Sequence, residues 1–305
     1  MQAWLEWLRE LARVVEMVPL GRSIAQAVMV YAAFFLVVVL AERRAGADTA
    51  RYRSRHFAND VVYTLFYKGG FYNVLLLAAA TNALGPWLDV VRLDLLRGLP
   101  WYVGLAIFWI GGDFVMYWWH RFQHANRYMW ALHSVHHSQV HLNLFTASRR
   151  HPVENLMLDV LIFVGLFHTV LGIPTRGWMP LAVAITCVTA IQHADLDWRF
   201  GPLYRLIVSP RFHAFHHSAD PAHANANYGF LLSTWDYLFG TAVPEQARPR
   251  RYGVDGVDFH ESLVRQLADP FRLMWRWSRR PTAPPAPATA AGQADAAGTP
   301  HAPGA

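Results

Sequence analysis

Long apolar runs separated by arginine-rich loops constrain this chain more than any other feature. Residues 24–41 carry no charge over 18 positions, which is close to the length of an α-helix that crosses a bilayer. Residues 61–84, 101–119, 156–173 and 178–191 are further apolar runs with at most one charged residue each. Only 16% of the 305 residues are charged, whereas soluble domains carry about a quarter. The sequence therefore predicts an all-α integral membrane protein with about four to five transmembrane or re-entrant helices.

The positive charge predicts the orientation of these helices. The formal net charge is +6, and Lys68 is the only lysine. The loop 42–56 contains Arg43, Arg44, Arg51, Arg53 and Arg55. Because arginine collects in cytoplasmic loops, we place this loop in the cytoplasm, most simply at a bacterial inner membrane. The segment 120–155 and the chain after residue 193 then lie on the same side. The arginines lack the pattern of a nucleic-acid surface, so no nucleic-acid partner is expected.

Histidine is the residue type that carries chemistry here. Thirteen of the 16 histidines lie between residues 120 and 223, whereas Cys187 is the only cysteine. A single cysteine excludes a disulfide framework, an iron–sulfur cluster and a thiolate zinc site within this chain. The histidines form the motifs HRFQH, HSVHH, IQHAD and HAFHH, which contain His120, His124, His133, His136, His137, His193, His213, His216 and His217.

The spacing of these motifs suits two metal ions. Histidines four residues apart lie on one face of a helix, so both members of HRFQH can face one ion. Adjacent histidines diverge by about 100° and can therefore face different ions. Nine imidazoles are too many for one tetrahedral ion. Imidazole binds zinc, copper, iron and nickel alike, so the motifs do not identify the metal.

A family resemblance adds a function to this reading. HRFQH, HSVHH, RRHPVE, SPRFHAFHH, NYG and WDYLFGT, between residues 107 and 241, resemble the fatty acid hydroxylase/sterol desaturase superfamily of membrane oxygenases. The resemblance implies a non-haem di-iron centre on the cytoplasmic face, which would use O₂ to hydroxylate or desaturate a lipid. It implies that the nine histidines are the iron ligands. Some relatives have a further histidine where Asp197 stands, so Asp197 is either a ligand or leaves that position open.

The remaining expectations concern the surroundings of the centre. Ligand histidines need acceptors on their second nitrogen, and the candidates are Asp113, His151, Glu154, Asp195, Asp197 and Asp236. The chain has no nucleotide-binding glycine motif and no haem-binding domain, so a ferredoxin, cytochrome or reductase would supply electrons. Because imidazole sites bind zinc more tightly than ferrous iron, zinc can replace iron in overexpressed protein.

The expected domain order follows from these assignments. It is an amphipathic interfacial helix at 1–22, transmembrane helices at 23–100, a fatty acid hydroxylase-like catalytic domain at 101–245, a cytoplasmic interfacial segment at 246–280 and a disordered tail at 281–305.

Two other classes of protein remain as alternatives, a zinc hydrolase and a membrane metal transporter. Catalytic zinc sites commonly use three protein ligands, fewer than this chain offers. Transporters place their ligands near the middle of the bilayer, whereas these motifs lie at and beyond helix ends.

Overall fold

The computed structural model describes residues 17–173, 179–243, 247–249, 251–254 and 262–279, and its regular secondary structure there consists of helices joined by turns and loops. No β-strand occurs among these residues, and an isolated bridge joins Ser218 to Tyr252. The longer helices are α1 (Met17–Arg44), α2 (Arg55–Lys68), α3 (Asn73–Val90), α4 (Trp101–Ala106, π-helical Ile107–Gly111 and Gly112–Ala125), α5 (Arg127–His137), α6 (Pro152–Val170), α7 (Met179–Gln192), α8 (Pro210–His216), α9 (Thr234–Phe239) and α10 (Leu263–Arg279).

Two of the described helices are long and apolar enough to cross a membrane. These are Ile24–Arg44 of α1, with a mean hydropathy of 2.5, and α6, with 1.6. The pair α2 and α3 would count as a third span, bent by 51° at the break after Lys68. The predicted run 61–84 is therefore interrupted where Lys68, Gly69 and Gly70 follow one another.

The predicted run 101–119 and the described part of the run 178–191, residues 179–191, are helical but do not qualify as spans by themselves. The 14 residues of α7 extend about 21 Å at 1.5 Å per residue, less than the roughly 30 Å of a hydrocarbon core. The described helices therefore give two or three candidate spans, fewer than the four to five predicted. Of the predicted interfacial helix at 1–22 only residues 17–22 are described, as the start of α1, and the tail 281–305 lies outside the described residues.

Packing joins the N-terminal helices to the histidine-bearing part of the chain. A core cluster contains Val38 of α1, Leu144 and Phe145 of a short 3₁₀ turn, and Ala190 at the end of α7. Phe145 also packs against the rings of Phe35 and Phe57, with centroids 5.5 Å away in each case. The turn 144–148 therefore packs between helices α1 and α2 on one side and α7 on the other.

Two buried ion networks fix the same region. Asp60 of α2 accepts hydrogen bonds from Arg149 (2.8 Å) and Asn143 (2.8 Å), and both members of the Asp60–Arg149 ion pair are fully buried. At the end of α1, the buried Glu42 pairs with Arg51 at 2.7 Å and accepts the backbone N–H of Asp195 at 2.8 Å. Charges that leave water need partners of this kind, so the two networks fix α1 and α2 relative to the rest.

Helix α10 covers α5 from the side. Leu263, Leu267 and Leu273 of α10 pack around Val135 of α5 and Tyr63 of α2. The segment predicted as interfacial, 246–280, therefore contains a helix whose inner face belongs to the protein core.

Candidate metal centre

The first half of the site is a helical hairpin formed by α4 and α5. His120 and His124 lie in the last turns of α4, which ends at Ala125. The side chain of Asn126 then accepts the N–H groups of Tyr128 (2.9 Å) and Met129 (3.2 Å), which is the usual capping arrangement for the start of a helix. The tight turn places the HSVHH motif of α5 beside the HRFQH motif of α4.

The second half comes from the C-terminal end of α7 and from α8. His193 directly follows the last residue of α7. Helix α8 begins with Ser209, whose hydroxyl accepts the N–H of Phe212 at 3.1 Å, and with Pro210 in its first turn. These starting signals place the HAFHH motif on a short buried helix that faces α5.

The nine predicted ligands meet in two adjoining groups. Within each group, every residue offers a ring nitrogen and these atoms all lie within 4.8 Å of one another. The five-histidine group contains His120, His124, His133, His137 and His216. The four-histidine group contains His136, His193, His213 and His217. The rings of His137 and His217, one from each group, have centroids 4.5 Å apart.

The helical phase explains how the groups are divided. Each HxxHH motif sends its first and last histidine to one group and its middle histidine to the other. In α5 the middle residue is His136, and in α8 it is His216. Because adjacent residues of a helix diverge by about 100°, each short helix contributes to both groups.

Burial lowers the pKa of eight of these imidazoles and so favours their neutral form. Desolvation, the largest effect, lowers the pKa of His193 to about 4 and that of His216 to about 3. The same cause, joined by neighbouring histidines, holds the pKa of His124, His137 and His217 well below the ordinary value. A neutral imidazole has a lone pair on one nitrogen, and a metal ion needs that lone pair.

The hydrogen bonds show which nitrogen is free. A backbone carbonyl only accepts, so the Nδ1 atom that contacts one must carry the proton. Such contacts join His136 to Arg149 O (3.1 Å), His193 to Thr189 O (2.7 Å), His216 to Ala226 O (2.9 Å) and His120 to Tyr228 O (2.9 Å). The Nε2 lone pair of each of these four rings therefore points away from its acceptor.

The free nitrogens converge without satisfying one another. The Nε2 atom of His193 lies 3.3 Å from that of His136 and 3.0 Å from that of His213. The buried Nε2 atoms of His124, His137 and His216 have no hydrogen-bond partner among the described residues. Unpaired buried nitrogens are costly, and cations placed between them would satisfy them. The residues fit imidazole-binding transition metals such as iron or zinc.

Of the six predicted acceptors, Glu154 contacts a histidine of the site directly. Its Oε1 atom lies 2.9 Å from Nδ1 of His133 and accepts the amide of Gln123 at 2.6 Å. Glu154 is almost fully buried in the first turn of α6. It orients His133 as carboxylates orient metal-bound histidines.

Asp113 and Asp236 act one step further away, by shaping the turn before α9. Asp236 accepts the backbone N–H groups of Tyr228 and Gly229, each at 2.7 Å. Asp113 accepts those of Leu231 (2.7 Å) and Leu232 (3.1 Å). The two carboxylates thus hold this turn in place. The turn contains the carbonyl of Tyr228, which accepts a hydrogen bond from Nδ1 of His120.

The other three predicted acceptors make no contact with the ligand histidines, because arginines or backbone groups are their hydrogen-bond partners. Asp195 pairs with Arg51 (2.8 Å) and Arg248 (3.0 Å). Asp197 pairs with Arg211 and belongs to neither histidine group. The Nε2 of His151 donates to Leu267 O at 3.0 Å, and its Nδ1 accepts the N–H of Val153 at 3.2 Å. His151 therefore caps α6 and binds α10.

Sequence reasoning missed the acceptors that matter most. They are the backbone carbonyls of Arg149, Thr189, Ala226 and Tyr228. A backbone carbonyl has no signature in the sequence. The buried pair Asp60–Arg149 was also missed; Asp60 directly precedes the apolar run 61–84 and does not lie inside it.

Some described helices are apolar and long enough to cross a membrane, and the histidine cluster could bind metal ions. These two features are typical of membrane metalloproteins. Residues 105–241 match the fatty acid hydroxylase family model. This segment of the chain is therefore similar to the fatty acid hydroxylase family, which is part of the fatty acid hydroxylase/sterol desaturase superfamily.

Three relatives show which kinds of protein this chain resembles in sequence. The chain is 28% identical over 253 residues to the ornithine lipid hydroxylase OlsE of Rhizobium tropici, a match that covers 80% of this chain and 75% of that protein. It is 32% identical to the alkylglycerol monooxygenase of Xenopus tropicalis, over 53% of this chain and 35% of that protein. It is 31% identical to methylsterol monooxygenase 1 of Gallus gallus, over 46% and 47%. No solved structure matches the chain significantly.

Proposed function

We propose that this chain is a membrane-bound, O₂-dependent lipid hydroxylase with a non-haem di-iron centre. The observation that carries the proposal is the division of nine histidines, seven of them buried and two half-buried, into adjoining groups of five and four. The proposal is also supported by the relatives, whose names are those of lipid hydroxylases and monooxygenases. Those names favour hydroxylation over desaturation.

The five-histidine group would hold one iron and the four-histidine group the other. Bound iron supplies the ability to activate O₂ for attack on a C–H bond, which no side chain has. The chain supplies neutral ligands, because burial keeps the imidazole pKa values low, as for His193 and His216. It also supplies orientation, because the carbonyls of Arg149 and Tyr228 fix the rings of His136 and His120.

The substrate class is a lipid that reaches the centre from the bilayer. Ornithine lipid, alkylglycerol and methylsterol appear in the names of the relatives, and all three are membrane lipids with a polar end. An external ferredoxin, cytochrome or reductase would deliver the electrons, since the sequence contains a single cysteine and no nucleotide-binding glycine motif.

The position in the membrane follows from the arginines. Five arginines lie between residues 43 and 55, in the last turn of α1, in the loop that follows it and at the start of α2. They support a cytoplasmic position for this end of α1 and for His193, whose segment is bonded to Glu42 through Asp195. We propose a bacterial inner membrane with the histidine cap on its cytoplasmic face. On this arrangement α4 and α7 enter the bilayer beside α1 and α6, which gives four to five membrane-embedded helices.

The alternatives account for fewer of these contacts. A zinc hydrolase needs about three protein ligands, whereas both histidine groups exceed that number. A transporter would need ligands along a path through the membrane, whereas these histidines lie around the C-terminal ends of α4 and α7 and on the short helices α5 and α8.

An activity assay with matched histidine variants tests the proposal. Iron-loaded protein in liposomes of bacterial lipid extract is supplied with reduced ferredoxin and isotope-labelled O₂, and lipids are examined by mass spectrometry. We expect one labelled oxygen atom in a lipid, and loss of this product in H136A and H216A. H168A is the control, because His168 lies in α6 outside both groups. Normal turnover by both cluster variants would overturn the assignment.

A further inference from the structure

A pocket at the arginine-rich end of α1 lies outside the histidine cluster. Its volume is about 440 Å³, and it is lined by α1 and the loop that follows α1. Phe35, Val39 and Arg43 line one side. They are four residues apart and therefore lie on one face of the helix. From Phe35 to Arg43 the helix rises about 12 Å, so the wall changes from apolar to cationic along the direction of the candidate span.

The rim of the pocket carries unneutralised positive charge. Arg43 and Arg53 both line the pocket and are exposed. Among the described residues, neither guanidinium lies within ion-pair distance of a carboxylate. Asp48, the one acidic residue of the lining, accepts the N–H of Ala50 at 2.8 Å. The lining therefore has a net positive charge, together with the half-buried hydroxyl of Thr49.

The floor of the pocket is rigid. The ring of Tyr52 packs edge to face on Phe35, with centroids 5.0 Å apart, and its hydroxyl donates to the buried Glu42. The guanidinium of Arg51 lies over the Tyr52 ring, 4.8 Å from its centroid. A ligand would thus meet a preformed surface and would not have to order it on binding.

We propose that this pocket binds an anionic phospholipid. The phosphate would lie between Arg43 and Arg53, and the start of an acyl chain would run along Val39 and Phe35. Free phosphate would match only the cationic rim, whereas a lipid matches both the rim and the apolar wall. Basic pockets at the end of a transmembrane helix are suited to anionic headgroups. The proposal goes beyond the oxygenase activity and does not depend on it.

Native mass spectrometry of the full chain in detergent tests the proposal. The ligands are phosphatidylglycerol, phosphatidylcholine with the same acyl chains, and inorganic phosphate. We expect the wild type to prefer phosphatidylglycerol, and R43Q/R53Q to bind it about 30-fold more weakly, as the loss of two surface arginines implies. The matched control R44Q/R55Q removes the same charge from the same arginine-rich stretch, residues 43–55, but outside the pocket, and should bind as the wild type does.

A third variant separates the lipid from the bare anion. V39W fills the apolar part of the pocket and should weaken phosphatidylglycerol at least tenfold without changing the binding of inorganic phosphate. Equal binding of the two lipids, an equal loss in both arginine variants, or no effect of V39W would each overturn the proposal. Unfolding midpoints within a degree or two of the wild type show that the variants are folded.

Discussion

The hydrogen bond of each ligand ring decides which nitrogen the ring can offer to a metal. For His133 the partner is Glu154, a buried carboxylate that also holds Gln123. For His136, His193 and His216 the partner is a backbone carbonyl. The proposed ligand set is thus oriented mainly by the backbone, which no single substitution removes, and at one position by a side chain that can be tested.

Replacing Glu154 tests this orientation directly. E154Q keeps the shape but weakens the bond to His133, so we expect iron affinity to fall by about 10- to 100-fold, as is usual for partners of ligand histidines. The matched variant D197N should leave the affinity unchanged, because Asp197 bonds to Arg211. The measurement is a competition between the protein and a chelator for ferrous iron. Equal losses in the two variants would contradict the assigned role of Glu154.

The buried imidazoles also predict how stability depends on pH. Their pKa values in the folded protein are lowered, to about 4 for His193 and about 3 for His216. Below pH 6.5 the unfolded chain therefore binds protons that the folded chain does not bind, and the free energy of unfolding decreases as the pH is lowered. Buried carboxylates such as Asp236, whose pKa burial raises to about 6, oppose this trend, but the buried histidines with lowered pKa outnumber them.

The expected result is a thermal unfolding midpoint of the metal-free protein that decreases steadily between pH 6.5 and pH 5. A variant such as H193N/H216N, which lacks two of the titrating rings, should show a smaller decrease. A midpoint that stays level or rises over this interval would mean that the imidazoles are not held neutral by burial.

At the scale of secondary structure elements, the sequence predicts the contacts made within one helix but not those made between distant segments. Helical spacing predicts that the paired histidines of HRFQH and HxxHH face the same way, because it fixes side-chain direction within a helix. In the structure the first and last histidine of each motif lie in the same group. Asp197 could not be assigned from the sequence, since Arg211, fourteen residues away, holds its carboxylate. The break after Lys68 follows from Gly69 and Gly70, but no local pattern indicates that α10 packs on α5.

The Asp60–Arg149 pair links α2 to the segment before α6, and its loss should be severe. D60N would leave the guanidinium of Arg149 buried without a counter-charge, which costs about 3–5 kcal/mol. The control is D94N, because Asp94 pairs with the partly exposed Arg92 and the exposed Arg97 and such pairs contribute at most about 1 kcal/mol. We expect D60N alone to lower the unfolding midpoint strongly. Similar small shifts in both variants would contradict the structural role of the pair.

At the scale of the whole molecule, the site exists only because distant segments converge. The ends of α4 and α7 supply His120, His124 and His193, and the short helices α5 and α8 supply the rest of both groups. Neither group can form from one half of the domain alone. The sequence predicts which residues are candidate ligands and which of them share a helix face. That α5 packs beside α8 is visible only in the folded chain.

Metal content tests the central claim most directly. Detergent-solubilised protein is reconstituted anaerobically with ferrous iron, freed of excess metal and measured for iron per chain by elemental analysis. The account predicts two irons in the wild type. It predicts one iron in H124A/H137A, which disrupts the five-histidine group, and one in H213A/H217A, which disrupts the four-histidine group. A wild type that binds a single ion, or a double variant that still binds two, would contradict it.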